Sequence, residues 1–187
     1  MHVRIYSYGG SGLKFLSGIV NSQAMRSYSP HIVPIIDSDF NRIIYIYADP
    51  IEAVMSFFKR EQERSGWVNC HLRNLGRDCI DYTTFGDFTQ DESDPFGLEK
   101  HFDYWLSTKF SCPVAFIKYE QLTKVSDNIA EFLKFENTTF SDNIKNEFRS
   151  RHSSQSFIEP DNLKKLKKKF CGLYNKMNEL EDFWIKQ

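Results

Sequence analysis

A cluster of glycine, serine and lysine residues follows the first apolar segment of the chain. It consists of Gly9, Gly10, Ser11, Gly12, Leu13 and Lys14. Glycines let the backbone approach phosphate oxygens closely, and backbone N–H groups at the start of a helix attract anions. Lys14, one turn along the expected helix, adds a positive charge. The predicted chemistry is phosphate binding, and a glycine turn that only joins a strand to a helix is the alternative.

Magnesium-dependent nucleotide hydrolysis is disfavoured by the length of this loop. The standard loop G-x-x-x-x-G-K-[ST] is longer, and Phe15 stands where it has a magnesium-binding hydroxyl. Asp49 follows a hydrophobic run and could organise magnesium in a kinase-like phosphotransferase that uses ATP. However, Pro50 and Glu52 come directly after it, and this pattern is more simply a helix N-cap with proline at the first helical position.

The elements that must position these residues alternate between strand and helix patterns. Strand patterns cover residues 3–8, 43–47 and 113–119, and helix patterns begin near residues 13, 50, 102 and 129. Repeated strand–helix units predict an α/β fold with three α/β/α layers around a central parallel sheet. We expect a single domain over residues 1–187.

Two further segments carry expectations of their own. Residues 67–97 contain three glycines and a proline, and they predict a long loop with little regular structure, either a lid or acceptor-binding loop or a solvated insertion. Residues 160–183 predict a C-terminal amphipathic helix. Its lysines form either a solvated face or a site for an anionic acceptor such as a sulfated glycan. They are Lys164, Lys165, Lys167, Lys168 and Lys169.

Composition and charge exclude several function classes. The 187 residues include 24 Lys+Arg and 25 Asp+Glu, so a net charge of −1 gives no overall field to attract nucleic acid or an anionic membrane. The four cysteines form no C-x-x-C pair, which favours a reduced, cytoplasmic setting. Cys70, His71 and Cys79 fit no standard metal-ligand spacing, so no metal is expected. No signal peptide or membrane-spanning helix is expected either.

Read together, these segments resemble the sulfotransferase family over residues 3–135. The resemblance comprises the glycine loop, the sequence IIYIYADP at 43–50 with Ser56 on the following helix, Trp105, and PVAFIKYEQL at 113–122. It implies an α/β core of the P-loop nucleotide-binding type. It also implies transfer of a sulfuryl group from 3′-phosphoadenosine 5′-phosphosulfate (PAPS) to a hydroxyl or amine of a carbohydrate or small molecule, without a metal.

The resemblance also implies roles for individual residues. Ser11 and Gly12 match the small residues that bind the 5′-phosphosulfate of the donor. Ser56 matches the serine that contacts the 3′-phosphate. Residues 119–122 match a signature that is largely structural.

The catalytic base is a separate question. His31 is similar in placement to the histidine that acts as base in part of the family, and its unperturbed pKa suits that task. A structural role for this histidine is the alternative. Glu52 and His101 are reserve candidates, with Glu52 expected in a helix cap and His101 expected on a helix surface.

Two departures from the family pattern concern donor binding. Gly10 stands where the loop usually has a lysine, and Ala48 stands where a strand usually ends in arginine. A hydrogen bond to a charged group contributes about 1.5–3 kcal/mol, so the missing arginine alone would weaken donor binding by roughly 10- to 100-fold. Lys14 could compensate at the loop and take part in catalysis, and Lys59 or Arg60 could compensate at the 3′-phosphate. A degenerate member that acts only as a binding module is a further alternative, and the acceptor and oligomeric state stay open.

Overall fold

The computed structural model describes residues 2–22, 26–28, 41–135, 139–148 and 154–186. Within these ranges one five-stranded sheet has the order β2-β1-β3-β4-β5. The strands are β1 (His2–Tyr6), β2 (Arg26–Tyr28), β3 (Arg42–Tyr47), β4 (Val114–Lys118) and β5 (Phe183–Lys186). The first four strands run parallel, and β5 pairs with β4 in the antiparallel direction. A mixed α/β fold around a mostly parallel sheet is therefore confirmed, although the two edge strands β2 and β5 were not predicted.

The helices of the described ranges connect and cover these strands. They are α1 (Leu13–Ser22), α2 (Pro50–Glu63), α3 (Trp67–Asn74), α4 (Phe85–Gln90), α5 (Leu98–Ser107), α6 (Ser126–Phe132), α7 (Thr139–Glu147), α8 (Pro160–Lys169) and α9 (Cys171–Asn178). Short 3-10 turns occur at Tyr119–Gln121 and Ser154–Phe157. Among these residues, no helix combines the length and apolar character needed to cross a membrane.

The sheet separates two hydrophobic clusters of different composition. Because side chains alternate along a strand, Ile44 and Ile46 enter an aliphatic cluster with α1, α6 and α7, whereas Tyr45 and Tyr47 enter an aromatic cluster with α2–α5, α8 and α9. In the aromatic cluster, the Tyr45 ring stacks on Trp105 with centroids 4.9 Å apart. Both clusters therefore anchor β3, the middle strand of the sheet.

The start of α2 follows the sequence prediction. Asp49 is the N-cap, and its Oδ1 accepts hydrogen bonds from the backbone N–H groups of Ile51 at 2.9 Å and Glu52 at 3.1 Å. Pro50 occupies the first helical position, where its missing N–H has no cost. This cap fixes the direction in which the chain leaves β3.

The prediction of little regular structure over residues 67–97 is wrong. Helix α3 begins at Trp67 and α4 begins at Phe85, with the Thr84 side chain accepting a hydrogen bond from the Asp87 amide. Val68, Leu72 and Phe88 are buried in the aromatic cluster and hold both helices against α2. The glycines that suggested a loop lie between or at the ends of short helices.

The prediction of one continuous helix over residues 160–183 is also wrong. Phe170 leaves helical geometry, with φ −98° and ψ 12°, and separates α8 from α9. Its side chain is 1% exposed, so burial of the ring in the aromatic cluster accompanies the break. The chain then turns into β5, whose Trp184 packs on Phe116 of β4.

Candidate functional site

Three chain segments meet at the carboxyl edge of the parallel strands. The glycine loop follows β1, Ala48 and Asp49 follow β3, and Tyr119 and Glu120 follow β4. The registers align the ends of the strands, since Tyr6 pairs with Tyr45 in the β1–β3 ladder and Tyr47 pairs with Lys118 in the β3–β4 ladder. Parallel α/β sheets bind ligands at this edge.

The glycine loop is packed closely against α2 and the end of β4. A Cβ atom on Gly10 would lie 2.8 Å from the Cα atom and carbonyl oxygen of Ala53, so the loop backbone touches the α2 backbone. Gly12 has φ +75°, and a Cβ atom there would lie 2.0 Å from the Tyr119 ring. Only glycine meets both demands at position 12.

The side chains of the loop point into the protein. Ser11 is 1% exposed, and its hydroxyl donates to the Ile46 carbonyl at 3.2 Å. Leu13 is buried in the aliphatic cluster, whereas Lys14 is exposed in the first turn of α1. The Ser11 hydroxyl hydrogen is therefore used within the fold. Any contact of this segment with an anion would come from backbone N–H groups at the start of α1 and from Lys14.

Ala48 stands where the resemblance implies arginine, and the Tyr8 hydroxyl forms hydrogen bonds with its backbone. Ala48 is fully buried, and its N–H donates to the Tyr8 hydroxyl at 3.0 Å. The same hydroxyl donates to the Ala48 carbonyl. Burial raises the pKa of Tyr8 well above its ordinary value, so the hydroxyl keeps its hydrogen. Tyr8 thus joins the end of β1 to the end of β3 through hydrogen bonds to the Ala48 backbone.

Two carboxylates lie beside Ala48. Asp49 Oδ1 caps α2, and Asp49 Oδ2 accepts a hydrogen bond from the Tyr174 hydroxyl at 2.8 Å. The Asp49 N–H donates to Glu120 Oε1 at 2.9 Å. Desolvation raises the pKa of the Glu120 carboxyl, an effect that the hydrogen bond from Asp49 partly offsets. In the described part of the chain, no group of three or more His, Cys, Asp or Glu side chains is placed to hold a metal ion.

The donor-binding candidates on α2 differ in their surroundings. Ser56 is half-buried and follows Ala53, the residue in contact with Gly10, by three positions. The Arg60 guanidinium lies 5.0 Å from the centroid of the Trp67 ring, which it covers. Lys59 is exposed. The structure therefore places the Ser56 turn next to the loop contact, while Arg60 packs on α3.

The three candidate bases lie in different environments or outside the described residues. His31 lies outside the described residues. Glu52 is half-buried in the first turn of α2, where its N–H contributes to the Asp49 cap. The expectation that His101 is on a surface is wrong, because its side chain is 7% exposed and its Nδ1 lies 3.0 Å from the Tyr45 hydroxyl. His101 is buried because it lies on the apolar face of α5, together with Trp105.

His71 is a loop-positioning residue that sequence reasoning missed. Its ring is 2% exposed and stacks on Trp67, with ring centroids 4.9 Å apart. Its Nε2 lies 3.0 Å from the Tyr8 carbonyl oxygen, so it donates to the backbone at the start of the loop. A Cβ atom on Gly9 would lie 2.4 Å from this ring. The spacing of Trp67 and His71, four residues apart on a helix, is the signal that could have indicated a stacked pair.

Comparisons with known proteins identify no family for the chain. A scan against protein-family models found no match, and searches of curated proteins and of solved structures found none either. The contacts at the carboxyl edge of the sheet are therefore the basis on which a function can be proposed.

Proposed function

We propose that the chain is a sulfotransferase-type enzyme with a P-loop-like, three-layer core. It would transfer a sulfuryl group from PAPS to a hydroxyl or amine of a carbohydrate or small-molecule acceptor. The observation that carries this proposal is the β1–glycine loop–α1 unit at the carboxyl edge of the parallel strands, with the backbone of α2 in direct contact with the loop. An anion held there would meet N–H groups and the positive end of the α1 dipole.

The contact between the loop and α2 supports a donor with two separated anionic groups. The start of α1 and Lys14 would hold the 5′ end of the donor. Ser56 would hold the 3′-phosphate, since it lies about 4.5 Å along α2 from Ala53 at 1.5 Å per residue. The donor supplies the transferable sulfuryl group, and the protein's part is positioning and charge stabilisation.

The carboxylate of Asp49 favours this proposal over a magnesium-dependent kinase. Its two oxygens already accept three hydrogen bonds, from two amides of α2 and from Tyr174. The positive end of the α2 dipole also offsets its charge, which reduces repulsion of an anionic donor. These hydrogen bonds give the Asp49 carboxylate a structural role as a helix cap, and this role requires no bound cation.

A catalytically inactive binding module is the second candidate, and the surroundings of Ala48 favour it. The usual arginine is replaced by a buried alanine clamped by Tyr8, and Asp49 and Glu120 lie beside it. Such an edge holds an anionic donor less tightly than one with an arginine. Lys14, exposed in the first turn of α1, is then the loop residue whose charge would meet a bound anion.

A nucleotide panel tests the donor assignment. Thermal unfolding of the full chain would be followed with adenosine 3′,5′-bisphosphate, with AMP, and with ATP in the presence and absence of magnesium. We expect the bisphosphate to raise the unfolding temperature most, because it alone offers both anionic groups of the donor, and we expect no effect of magnesium. Stabilisation by ATP with magnesium, but not by the bisphosphate, would support the kinase alternative instead.

Two variants locate the binding residues. Ser56→Ala should weaken binding of the bisphosphate by about tenfold, the loss of one hydrogen bond to a charged group. Ser65→Ala, an exposed serine just beyond α2, is the matched control and should leave binding unchanged. Equal affinities for the two variants would remove Ser56 from the site.

Turnover separates the enzyme from the binding module. Formation of adenosine 3′,5′-bisphosphate from PAPS would be measured with a panel of hydroxyl and amine acceptors. We expect Lys14→Ala to lower this rate, whereas Lys100→Ala, an exposed lysine on α5, should not change it. Donor binding without any acceptor-dependent turnover would favour the binding module.

A further inference from the structure

A cleft of about 480 Å³ lies between the end of α4 and helix α8. Lys165, Lys168 and Lys169 form one wall, and residues 89–92 form the other. The three lysines are spaced at i, i+3 and i+4, which places them on the same face of α8. The cleft shares no residue with the glycine loop, with Ser56 or with the carboxylates at the sheet edge.

Two of the three lysines are held in place by contacts across the cleft. The Lys165 ammonium donates to Gln90 Oε1 at 2.8 Å. The Lys169 ammonium donates to the Phe88 carbonyl at 2.8 Å and lies 3.8 Å from the centroid of the Phe88 ring. Lys168 is exposed and lines the opening. Lys165 and Lys169 are thus positioned before a ligand binds, which lowers the entropy cost of ordering these two side chains.

The opposite wall presents oxygen and amide groups. Asp91 Oδ2 accepts from the Tyr82 hydroxyl at 2.6 Å, and Asp91 Oδ1 accepts from the Ser93 N–H at 2.8 Å, so this carboxylate is satisfied within the fold. Glu92 is exposed at the cleft, and the Gln90 side-chain amide donates to Asn162 at 3.1 Å. The exposed Glu92 carboxylate, and the second lone pair of Gln90 Oε1, remain able to accept hydrogen bonds from ligand hydroxyls.

The combination of walls selects the class of ligand. Lysines attract an anionic group, but a flat anionic surface such as a membrane would also be repelled by Asp91 and Glu92. A ligand with one anionic group and several hydroxyls satisfies both walls. We propose that this cleft binds a saccharide that carries a sulfate, phosphate or carboxylate group. The anionic group lies against Lys168 and Lys165, and the hydroxyls lie against Gln90 and Glu92.

Calorimetric titration of the full chain tests this proposal without any nucleotide. The probes are glucose 6-sulfate, glucose 6-phosphate, glucuronate, neutral glucose and inorganic sulfate. We expect the anionic sugars to bind more tightly than both glucose and inorganic sulfate, and to lose affinity as salt is added. The order among the three anionic sugars identifies the preferred group. Because no turnover or donor is involved, the result does not depend on the proposed sulfuryl transfer.

Two lysines of α8 provide a matched pair of variants. Lys168 lines the cleft and Lys164 does not, although both are exposed and both substitutions remove one positive charge. Lys168→Gln should weaken binding of the preferred sugar by about tenfold, the lower end for a hydrogen bond to a charged group. Lys164→Gln should change it by less than about twofold, as for a distant charge screened by salt.

Several outcomes would overturn the proposal. Equal weakening by the two variants would indicate a diffuse basic surface without a defined site. Inorganic sulfate binding as tightly as the anionic sugars would show that the second wall contributes nothing. Binding to phosphatidylserine vesicles, with no binding of any anionic sugar, would assign the lysines to a membrane surface instead.

Discussion

The glycine loop and the α4–α8 cleft both carry residues suited to anions, but they are built in opposite ways. At the loop, glycine backbone lies against Ala53 and Tyr119, and the Ser11 side chain is used inside the fold. At the cleft, lysine side chains line an open volume. At the loop, packing and the proposed anion binding therefore depend on the same residues, whereas Lys168 of the cleft is exposed and is free of such packing demands. Substitutions in the loop test stability first, whereas substitution of Lys168 tests binding directly.

The largest effect is expected from Gly12→Ala. The left-handed φ costs an alanine about 1–2 kcal/mol, and overpacking against Tyr119 costs about 1–3 kcal/mol, so we expect a loss of about 2–5 kcal/mol in the free energy of unfolding. Gly18→Ala is the matched control, because nothing lies within 4 Å of the added Cβ atom. In the middle of α1 it should stabilise by about 0.5–1 kcal/mol. Chemical denaturation measures both, and a Gly12→Ala protein as stable as wild type would contradict the described loop packing.

The next effect compares two tyrosines at the ends of neighbouring strands. Tyr8→Phe leaves the buried N–H and carbonyl of Ala48 without their partner, which should cost about 2–3 kcal/mol of unfolding free energy. Tyr47→Phe is the control, since the Tyr47 hydroxyl is buried without a hydrogen-bond partner among the described residues. Its removal should leave stability unchanged or slightly increased. Equal losses of unfolding free energy in the two variants would contradict the role of the Tyr8 hydroxyl in joining the ends of β1 and β3.

A smaller effect concerns the pH dependence of stability near the cleft. Burial raises the pKa of Asp94 above its ordinary value of 3.8, so the folded state holds this proton more tightly than the unfolded state. The stability that the protonated form contributes is therefore lost as the pH rises through the raised pKa. Asp94→Asn keeps an oxygen for the Leu98 amide and should remove this loss. As the pH rises from below 3.8 to neutral, wild type should therefore lose more unfolding free energy than the variant.

Asp127 should affect the pH dependence of the unfolding free energy in the opposite direction, because its pKa is lowered and not raised. Hydrogen bonds from Ser141 and Lys145 lower the pKa of this exposed carboxylate, so its contribution is present at neutral pH and is lost as the pH falls through the lowered pKa. Asp127→Asn should therefore reduce the fall in stability at acid pH. Parallel pH profiles for the Asp94 and Asp127 variants would contradict both assignments.

The smallest expected effect separates structural lysine from ligand-binding lysine within the cleft. Lys169→Met removes the contact with the Phe88 ring and the hydrogen bond to its carbonyl, and it should cost about 0.5–1 kcal/mol of unfolding free energy. Lys168→Met should change stability by less than about 0.5 kcal/mol, as is usual for an exposed side chain. A larger loss for Lys168→Met would mean that this lysine also supports the fold.

Local signals account for what the sequence could predict. Asp49, Pro50 and the apolar run before them determine where β3 ends and α2 begins, because cap and proline preferences act within a few residues. The glycine loop between β1 and α1 was also placed correctly, because the preference of glycine for positive φ is a local one. The short helices α3 and α4 were missed. Phe88 of α4, for example, is buried against Phe58 of α2, a residue that is distant in the chain.

Contacts between distant residues account for what could not be predicted at the site. The hydrogen bond between Tyr8 and Ala48 joins positions 40 residues apart, and the hydrogen bond between Tyr174 and Asp49 joins positions 125 residues apart. His101 was expected on a surface, yet it is buried because Tyr45 offers its ring a stacked partner and a hydroxyl. Single-residue properties carry no information about such pairings.

Calorimetric titration of the full chain with adenosine 3′,5′-bisphosphate tests the central claim most directly. The claim is that the start of α1 and the neighbouring turn of α2 bind the two anionic groups of a PAPS-type donor. We predict saturable binding at one site with a dissociation constant below millimolar, unchanged by a metal chelator and weakened in Ser56→Ala. Absence of binding up to millimolar ligand would contradict the claim.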